Sequence, residues 1–378
     1  MPTYILVAGD FTRLGGMDRA NLALARYLAV TENVVTLVTH RADAELTCYP
    51  NVALQQVVRP WGRHQLGAPW LDRRARQCAQ TAPAGTRVVS NGGNCLWGDV
   101  NWVHFVHAAA VANAASQPTN LYRRWQQHHD RRREQLAVRA ARLVIANSER
   151  TRRDLIAHVG VSPERIQVVY YGSDPKEFYP PAPQEPAALR QELGLTAERP
   201  LVGFIGALGD GRKGFDTLFD VWGRFGAATG AMLLVIGSGS CLPQWRARAR
   251  EQGLDSHLRF LGFRADVPRL MRMLDLVVAP TRYEAYGLAV HEAWCCDVPA
   301  MVSRQAGVAE RCPDSLQELL LQDPNHAGEL EQRLWAWWRN RTAFLLATRE
   351  LGAKLRAITW DDMAREMVNA ITAAPPAA

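Results

Sequence analysis

Short continuous apolar runs alternate along this chain with segments whose apolar residues return every three or four positions. In the first half the runs are YILVAGD, NVVTLVTH, RVVSN, NWVHFVH, RLVIANS and IQVVYYGSD, and the periodic segment NLALARYLA follows the first of them. Runs without polar alternation are strands covered on both faces, as in parallel sheets, and the periodic segments are the crossover helices between them. The pattern breaks at PKEFYPPAPQEPAALRQELGLTAERP, which places five prolines between 180 and 200 and reads as a linker. Beyond it the alternation restarts with LVGFIGAL, FDTLFDVWGRF, MLLVIGSGS, LRFLGF, LDLVVAP and PAMVS. Two βαβ series predict an α/β chain of two facing, Rossmann-like, doubly wound parallel-sheet domains, 1–180 and 181–358. The last periodic stretch, TWDDMAREMVNAITA, predicts an amphipathic helix within 359–378, capped by Thr359 or Asp361.

Composition narrows the class. The chain has 378 residues, 48% of them hydrophobic, enough to fill a core in each of two domains. The opening MPTYILVAGD lacks a basic lead and reads as a first strand rather than a signal peptide, and no apolar run reaches membrane-spanning length. The seven cysteines form no C-x-x-C pair, which argues for a reducing compartment and against structural zinc. A cytoplasmic protein is expected. The net charge of +7 is unevenly spread: residues 1–175 carry 21 Arg, no Lys and 13 acids, whereas the remainder is nearly balanced. Such a basic half suits nucleic acid, an anionic membrane surface or an anionic substrate.

Ligands of open parallel sheets sit beyond the carboxyl ends of the strands, so the residues just after each apolar run are the ones to read. After the first run comes the turn Gly15-Gly16, whose bare amides at a helix start can cradle an anion, although tight turns also need glycine for steric reasons. After NWVHFV comes His107, followed by the small-residue loop AAAVANAASQP; it reads either as an ordinary hydrogen-bonded histidine or as a group beside a loop that closes over substrate. After LVGFIGAL comes Gly209-Asp210-Gly211-Arg212-Lys213-Gly214. Two adjacent cations between glycines at a helix entry suit a diphosphate, with Arg as a planar fork and Lys as a point charge; a solvated surface turn is the alternative. Gly237-Ser238-Gly239 lacks the third glycine of a dinucleotide fingerprint, which disfavours NAD.

The stretch RYEAYGLAVHEAW, 282–294, holds Glu284 and Glu292. On one helix their spacing leaves them roughly 80° apart, so a shared helix face does not explain them. With Pro280 ending a strand and a helix starting near Leu288, Glu284 falls on the loop and Glu292 a turn into the helix, and the two carboxylates have different settings.

Together these motifs resemble glycosyltransferase family 4, the retaining nucleotide-sugar transferases of GT-B fold, over nearly the whole chain. The most specific part is the E-x7-E motif, Glu284 to Glu292, with AGVAE at 306–310 and the RKG turn at 212–214. The resemblance implies that Glu284 and the amides of Ala285, Tyr286, Gly287 and Leu288 hold the sugar, that Glu292 holds the ribose, and that Arg212 and Lys213 hold the diphosphate. It also implies His107 against the sugar, Gly15 and Gly16 on phosphate or acceptor, and a C-terminal helix returning to the first domain. Glu284, His107, Arg212 and Lys213 are then the catalytic set. No D-x-D triplet occurs, so neither a metal nor a cofactor is expected beyond a UDP- or GDP-sugar co-substrate. The implied reaction is metal-independent hexosyl transfer with retention to a glycan or lipid-linked acceptor of the cell envelope. Three positions depart from the family pattern: Gly206-Ala207-Leu208 where an Arg is common, Asp297 where Gly is usual, and Tyr171-Gly172-Ser173-Asp174 where an Asn is usual.

The segment LYRRWQQHHDRRREQLAVRAARLV holds five Arg between 121 and 133. A solvated helix face accounts for them, and so does peripheral docking of the first domain on anionic lipid. Nucleic acid is not an expected partner, because aromatic residues are not interleaved with the arginines and no recognition motif occurs. The rival readings are another enzyme of the same fold, an epimerase or a phosphorylase, or a non-catalytic sugar-nucleotide-binding protein.

Overall fold

The computed structural model describes residues 2–112, 121–209 and 211–374; Asp210 and most of the small-residue loop after His107 lie outside them. The chain forms two compact units. One comprises the described residues up to 112, 121–172 and 360–374; the other comprises 173–359.

The first unit is built on seven strands: β1 (Thr3–Val7), β2 (Val34–Thr39), β3 (Val52–Gln56), β4 (Arg87–Asn91), β5 (Val100–Val103), β6 (Leu143–Ala146) and β7 (Ile166–Val168). Their order is β3-β2-β1-β4-β5-β6-β7 and every pairing is parallel. The second unit has β8 (Leu201–Ile205), β9 (Met232–Ile236), β10 (Leu258–Gly262), β11 (Leu276–Ala279), β12 (Ala300–Ser303) and β13 (Leu320–Leu321) in the order β10-β9-β8-β11-β12-β13, again parallel. Each order reverses direction once, between β1 and β4 and between β8 and β11. A crevice opens there at the carboxyl edge, because the flanking crossover helices leave toward opposite faces.

The apolar runs are buried as their lack of alternation requires: Leu233, Leu234, Val235 and Ile236 are all inaccessible or nearly so, and Ile5, Val7, Val38, Leu71 and Val88 pack into one cluster of the first unit. In the second unit Phe215, at the start of helix Phe215–Thr229, meets Phe204 of β8 and Trp245 edge-on with ring centroids 4.9 and 5.0 Å away. The helix Trp360–Ala373 lies against Gly16–Val30 in the first unit. Thr359 immediately precedes this helix, whereas Asp361 is inside its first turn and pairs with Arg26 at 3.2 Å.

The proline-rich stretch is not a linker. Its prolines start a helix, Glu185–Glu192, with Pro186 in the first turn, where a missing N–H costs nothing. That helix is fastened to the second unit: Arg272 reaches Glu185 at 2.7 Å and the Glu177 carbonyl at 3.1 Å, while Arg190 donates to the Met273 carbonyl and to Asp275. The chain passes between the units after Gly172, ahead of the prolines.

Asp297, in the position where glycine is usual, adopts φ 59°. It closes the helix Leu288–Cys295: the Val298 N–H donates to the Ala293 carbonyl at 2.9 Å and the Asp297 N–H to the Trp294 carbonyl at 3.0 Å, a Schellman closure. Its carboxylate accepts from Arg356 at 2.8 Å, which ties the helix Arg341–Arg356 to this turn. Because a β-branched side chain tolerates left-handed geometry poorly, Asp297→Val should destabilise the second unit by about 2 kcal/mol and Asp297→Gly by roughly half as much. Thermal melts of the two variants against the parent check that order.

Candidate functional site

The loops that leave β8 and β11 meet at the switch point of the second unit. Gly214 adopts φ 67°, and a Cβ there would stand 1.8 Å from the Pro280 carbonyl oxygen. Only glycine allows this approach, which brings the Arg212–Lys213 turn against Thr281–Gly287. Arg282 fixes it from behind: its backbone N–H donates to the Arg212 carbonyl at 2.8 Å, and its guanidinium bonds Asp216 through two contacts of 2.8 and 2.7 Å and Asn325 at 2.6 Å. The Arg282 side chain is buried and that of Asp216 is 37% exposed, so the bidentate pair is charge-assisted and shielded on the arginine side only.

Against that frame the two cations converge on one acid. The Lys213 ammonium pairs with Glu284 Oε2, and Arg212 lies 3.7 Å from the same oxygen while donating to the Tyr283 carbonyl at 3.0 Å. Lys213 extends over bare Gly206: a Cβ at 206 would meet its stem at 3.3 Å. A cleft of about 280 Å³ opens beside them, lined by Ala207, Leu208, Lys213, Gly214, Cys241 and Trp245 among others. The second glycine turn backs the loop that follows β8: the Leu208 N–H donates to the Ser238 carbonyl, and side chains at Gly237 or Gly239 would strike the backbone of Gly206 or Leu208.

The Glu284–Gly287 loop is held in register by the AGVAE segment. The Gly307 N–H donates to the Glu284 carbonyl at 3.2 Å and the Val308 N–H to the Tyr286 carbonyl at 2.7 Å. The Tyr286 hydroxyl lies 2.8 Å from His291 Nδ1, and burial keeps that imidazole neutral with its pKa pushed down to about 3. Leu288 starts the helix that carries Glu292 and Gly287 caps it at φ 116°. Glu284 is partly accessible and Glu292 is buried, which separates the two acids by setting as the loop-helix division requires.

In the first unit, His107 follows β5 and starts the helix His107–Ala112. Its backbone N–H donates to Glu134 Oε2 and its Nδ1 sits against Oε1, both at 2.9 Å. The Glu134 side chain is 1% exposed, that of His107 40%. Burial opposes charging of His107, but the hydrogen bond and attraction of Glu134 outweigh it and raise the pKa above 6.5. His104, three residues earlier, is a core residue: Asn147 donates to the Tyr171 hydroxyl at 3.1 Å, leaving that O–H for His104 Nδ1, and burial pushes the His104 pKa down to about 3.

Gly15, at φ 87°, caps the helix Gly16–Val30 beside a charged cluster that the motifs did not reveal. Asp10 accepts from Arg41 at 3.1 and 2.7 Å and from Arg59 at 3.1 Å. Burial alone would raise its pKa, yet the two guanidiniums bring it below the usual carboxylate value. Asp18, one turn into the helix, is pushed up to about 7 by burial and by the charge of Asp10. Among the described residues no group of His, Cys, Asp or Glu is arranged to hold a metal ion.

The structure thus brings Arg212, Lys213 and Glu284 together, places Ala285 to Leu288 and Glu292 on the adjoining loop and helix, and puts Gly15, Gly16 and His107 in the other unit. Sequence reasoning missed Arg282, Asp216, Glu134, Asp10, Arg41 and Arg59. Arg282 alone carried a signal, as the buried-side neighbour of the E-x7-E motif.

His107 yields a direct test. A histidine whose folded pKa is raised contributes stability that is fully present below its ordinary value and lost as pH rises through the folded one. NMR titration should therefore place His107 above 6.5 in the parent and lower in Glu134→Gln, and the variant's stability deficit should shrink above the parent's His107 pKa.

Comparison with known proteins gives the family and the fold. The profile described as Glycosyltransferase Family 4 matches residues 14–177, and that described as Glycosyl transferases group 1 matches 199–340. D-inositol 3-phosphate glycosyltransferase of Jonesia denitrificans is 28% identical over 255 residues, 62% of this chain and 58% of that protein. 2-Deoxystreptamine N-acetyl-D-glucosaminyltransferase of Streptomyces fradiae is 29% identical over 190 residues, 49% of this chain and 45% of the relative. The chain thus spans about half to three fifths of the curated relatives it matches. Among solved structures, WaaG, a glycosyltransferase of lipopolysaccharide biosynthesis, superposes with a TM-score of 0.80 at 20% identity, over 98% of this chain and 100% of that one. Anabaena HepE in complex with UDP and glucose gives 0.75 at 20%, over 99% and 100%. With the GT-B architecture in both units and the two profiles matching 14–177 and 199–340, the chain belongs to glycosyltransferase family 4.

Proposed function

We propose that the protein transfers a hexosyl group from a nucleotide sugar, a UDP- or GDP-sugar, to a glycan or lipid-linked acceptor, with retention and without a metal. The observation that carries this reading is the convergence of Arg212 and Lys213 on Glu284 at the switch point of the second unit. Two cations sharing one carboxylate keep a net positive charge where a diphosphate would lie. As the glycosidic bond breaks, negative charge grows on the leaving diphosphate; fixed cations and helix-entry amides stabilise that growth without reorganising, an effect of ~3 kcal/mol per well-placed donor. A phosphate oxygen then accepts the proton of the incoming hydroxyl on the face the leaving group vacates, which preserves the anomeric configuration.

Glu284, released from Lys213 when the cation turns to phosphate, is the acid available to sugar hydroxyls beside the amides of Ala285 to Leu288. Glu292, buried on the helix behind, is assigned to the ribose. In the first unit, His107 with its supporting Glu134, and the Gly15–Gly16 turn, serve the transferred sugar and the acceptor. HepE, whose structures hold UDP with glucose and UDP-glucose, supports a donor of that class, and the inositol phosphate and aminocyclitol transferases support a hydroxyl-bearing ring as acceptor.

A thermal-shift panel of UDP-, GDP- and ADP-sugars tests the reading, since a ligand at 100 times its Kd stabilises by ~2.7 kcal/mol. One base class should raise the melting temperature without added metal, and EDTA should leave the shift unchanged. Lys213→Ala and Glu292→Ala should each weaken donor binding, the former about tenfold or more through loss of a charged hydrogen bond. Glu284→Ala should chiefly lower turnover. Unaltered binding and rate in all three variants would overturn the site assignment.

A further inference from the structure

Behind the Glu284–Gly287 loop, two polar side chains bond each other where apolar packing would serve the core as well. Tyr286 is 2% exposed and His291 1%, and the tyrosine hydroxyl lies 2.8 Å from His291 Nδ1. The imidazole Nε2 is buried without a hydrogen-bond partner among the described residues. Burying these groups costs desolvation that one hydrogen bond barely offsets, and an apolar pair of the same shape would be about as stable. The bond therefore supplies something that packing does not, a fixed direction.

The segment it fixes lies between the two acids. His291 stands in the first turn of the helix Leu288–Cys295. It grips the loop twice: its backbone N–H donates to the Gly287 carbonyl at 3.2 Å, and its ring meets the Tyr286 hydroxyl. Tyr286 is held at its other end too, where its carbonyl accepts from the Val308 N–H at 2.7 Å. Next to it Gly287, at φ 116°, has no Cβ because one would meet Val308 at 2.9 Å and the Glu284 stem at 3.3 Å. A glycine needed for that approach also leaves the backbone around it free to take other settings. Anchoring Tyr286 at both ends selects one of them.

We infer that Tyr286, through its side chain, and His291 are positioning residues for the transferred sugar: their bond sets the direction of the backbone amides from Ala285 to Leu288. The nucleoside diphosphate is held without that bond, by Arg212, Lys213 and Glu292. The inference rests on the donor reading proposed above and adds to it the pair that orders the sugar-binding loop.

Titration of the full chain with UDP, UDP-glucose, GDP and GDP-mannose tests it. The readout is the Kd of the sugar nucleotide divided by the Kd of its nucleoside diphosphate, taken beside the melting temperature. In Tyr286→Phe and in His291→Leu the ratio should rise about tenfold as aligned donors to the sugar oxygens are lost, with affinity for the nucleoside diphosphate unchanged. Each single substitution strands one buried polar group and should lower the melting temperature. The double variant, Tyr286→Phe with His291→Leu, strands neither, so its melting temperature should return toward the parent's while the ratio stays raised. A pair that serves packing alone would recover both together. A double variant with parental melting temperature and parental ratio therefore overturns the inference, as does an equal loss of affinity for nucleoside diphosphate and sugar nucleotide in the single variants. Failure of the parent to bind any of the four nucleotides would overturn the donor reading itself, and the inference with it.

Discussion

The candidate donor site depends on a missing side chain. With any residue other than glycine at 214, the Pro280 carbonyl would be struck at 1.8 Å and the loops leaving β8 and β11 would have to part. Their contact lets Arg282 donate to the Arg212 carbonyl, which in turn aims Arg212 and Lys213 at Glu284. A steric permission in the backbone thus sets an electrostatic arrangement at the side-chain ends. Gly287 and Gly237 play the same part at the neighbouring loops, where a Cβ would meet Val308 at 2.9 Å or the Gly206 carbonyl at 1.9 Å.

Charge in this frame centres on Arg282 and on Glu284. Arg282 is buried, and its paired contacts with Asp216, plus Asn325 on the remaining donor, leave it no role beyond holding the turn. Arg212 and Lys213 are partly accessible and share a carboxylate that is itself partly accessible. Removing Asp216 would leave the buried Arg282 charge without its bidentate partner, which is costly, whereas Arg212, Lys213 and Glu284 are 25, 20 and 17% exposed and keep access to water.

Much of the fold was legible because parallel strands buried on both faces leave unbroken apolar runs, and the motifs then fall at their carboxyl ends. The E-x7-E segment divided between loop and helix at Leu288, as the spacing of Glu284 and Glu292 demanded. Partners distant in sequence were not legible. Glu134 lies 27 positions from His107, inside an arginine run that reads as a solvated face, and nothing in the order of residues says that one of its inward positions holds an acid. Asp10, Arg41 and Arg59 come from three different strand exits and meet only once β1, β2 and β3 lie side by side. The proline-rich stretch misled for a different reason: prolines mark both loose linkers and helix starts, and only the tertiary contacts of Arg190 and Arg272 decide between them.

The same strand exit sets two histidines three residues apart in opposite states. His104 is enclosed by Trp102, Tyr171 and Asn147, none of which offers a charge, so burial alone acts and the ring stays neutral down to about pH 3. His107 emerges one turn later, where burial acts too but a buried carboxylate faces its Nδ1 and its own backbone N–H, and charging is favoured. Below pH 6.5 the unfolded chain gains a proton at position 104 that the folded one refuses, which favours unfolding; at 107 the folded chain holds its proton more tightly, which opposes it. This leaves one imidazole as a fixed uncharged wall and makes the next easier to protonate than a free one. Sequence proximity made them look alike; the difference lies in whether the neighbouring helix supplies Glu134 or only packing.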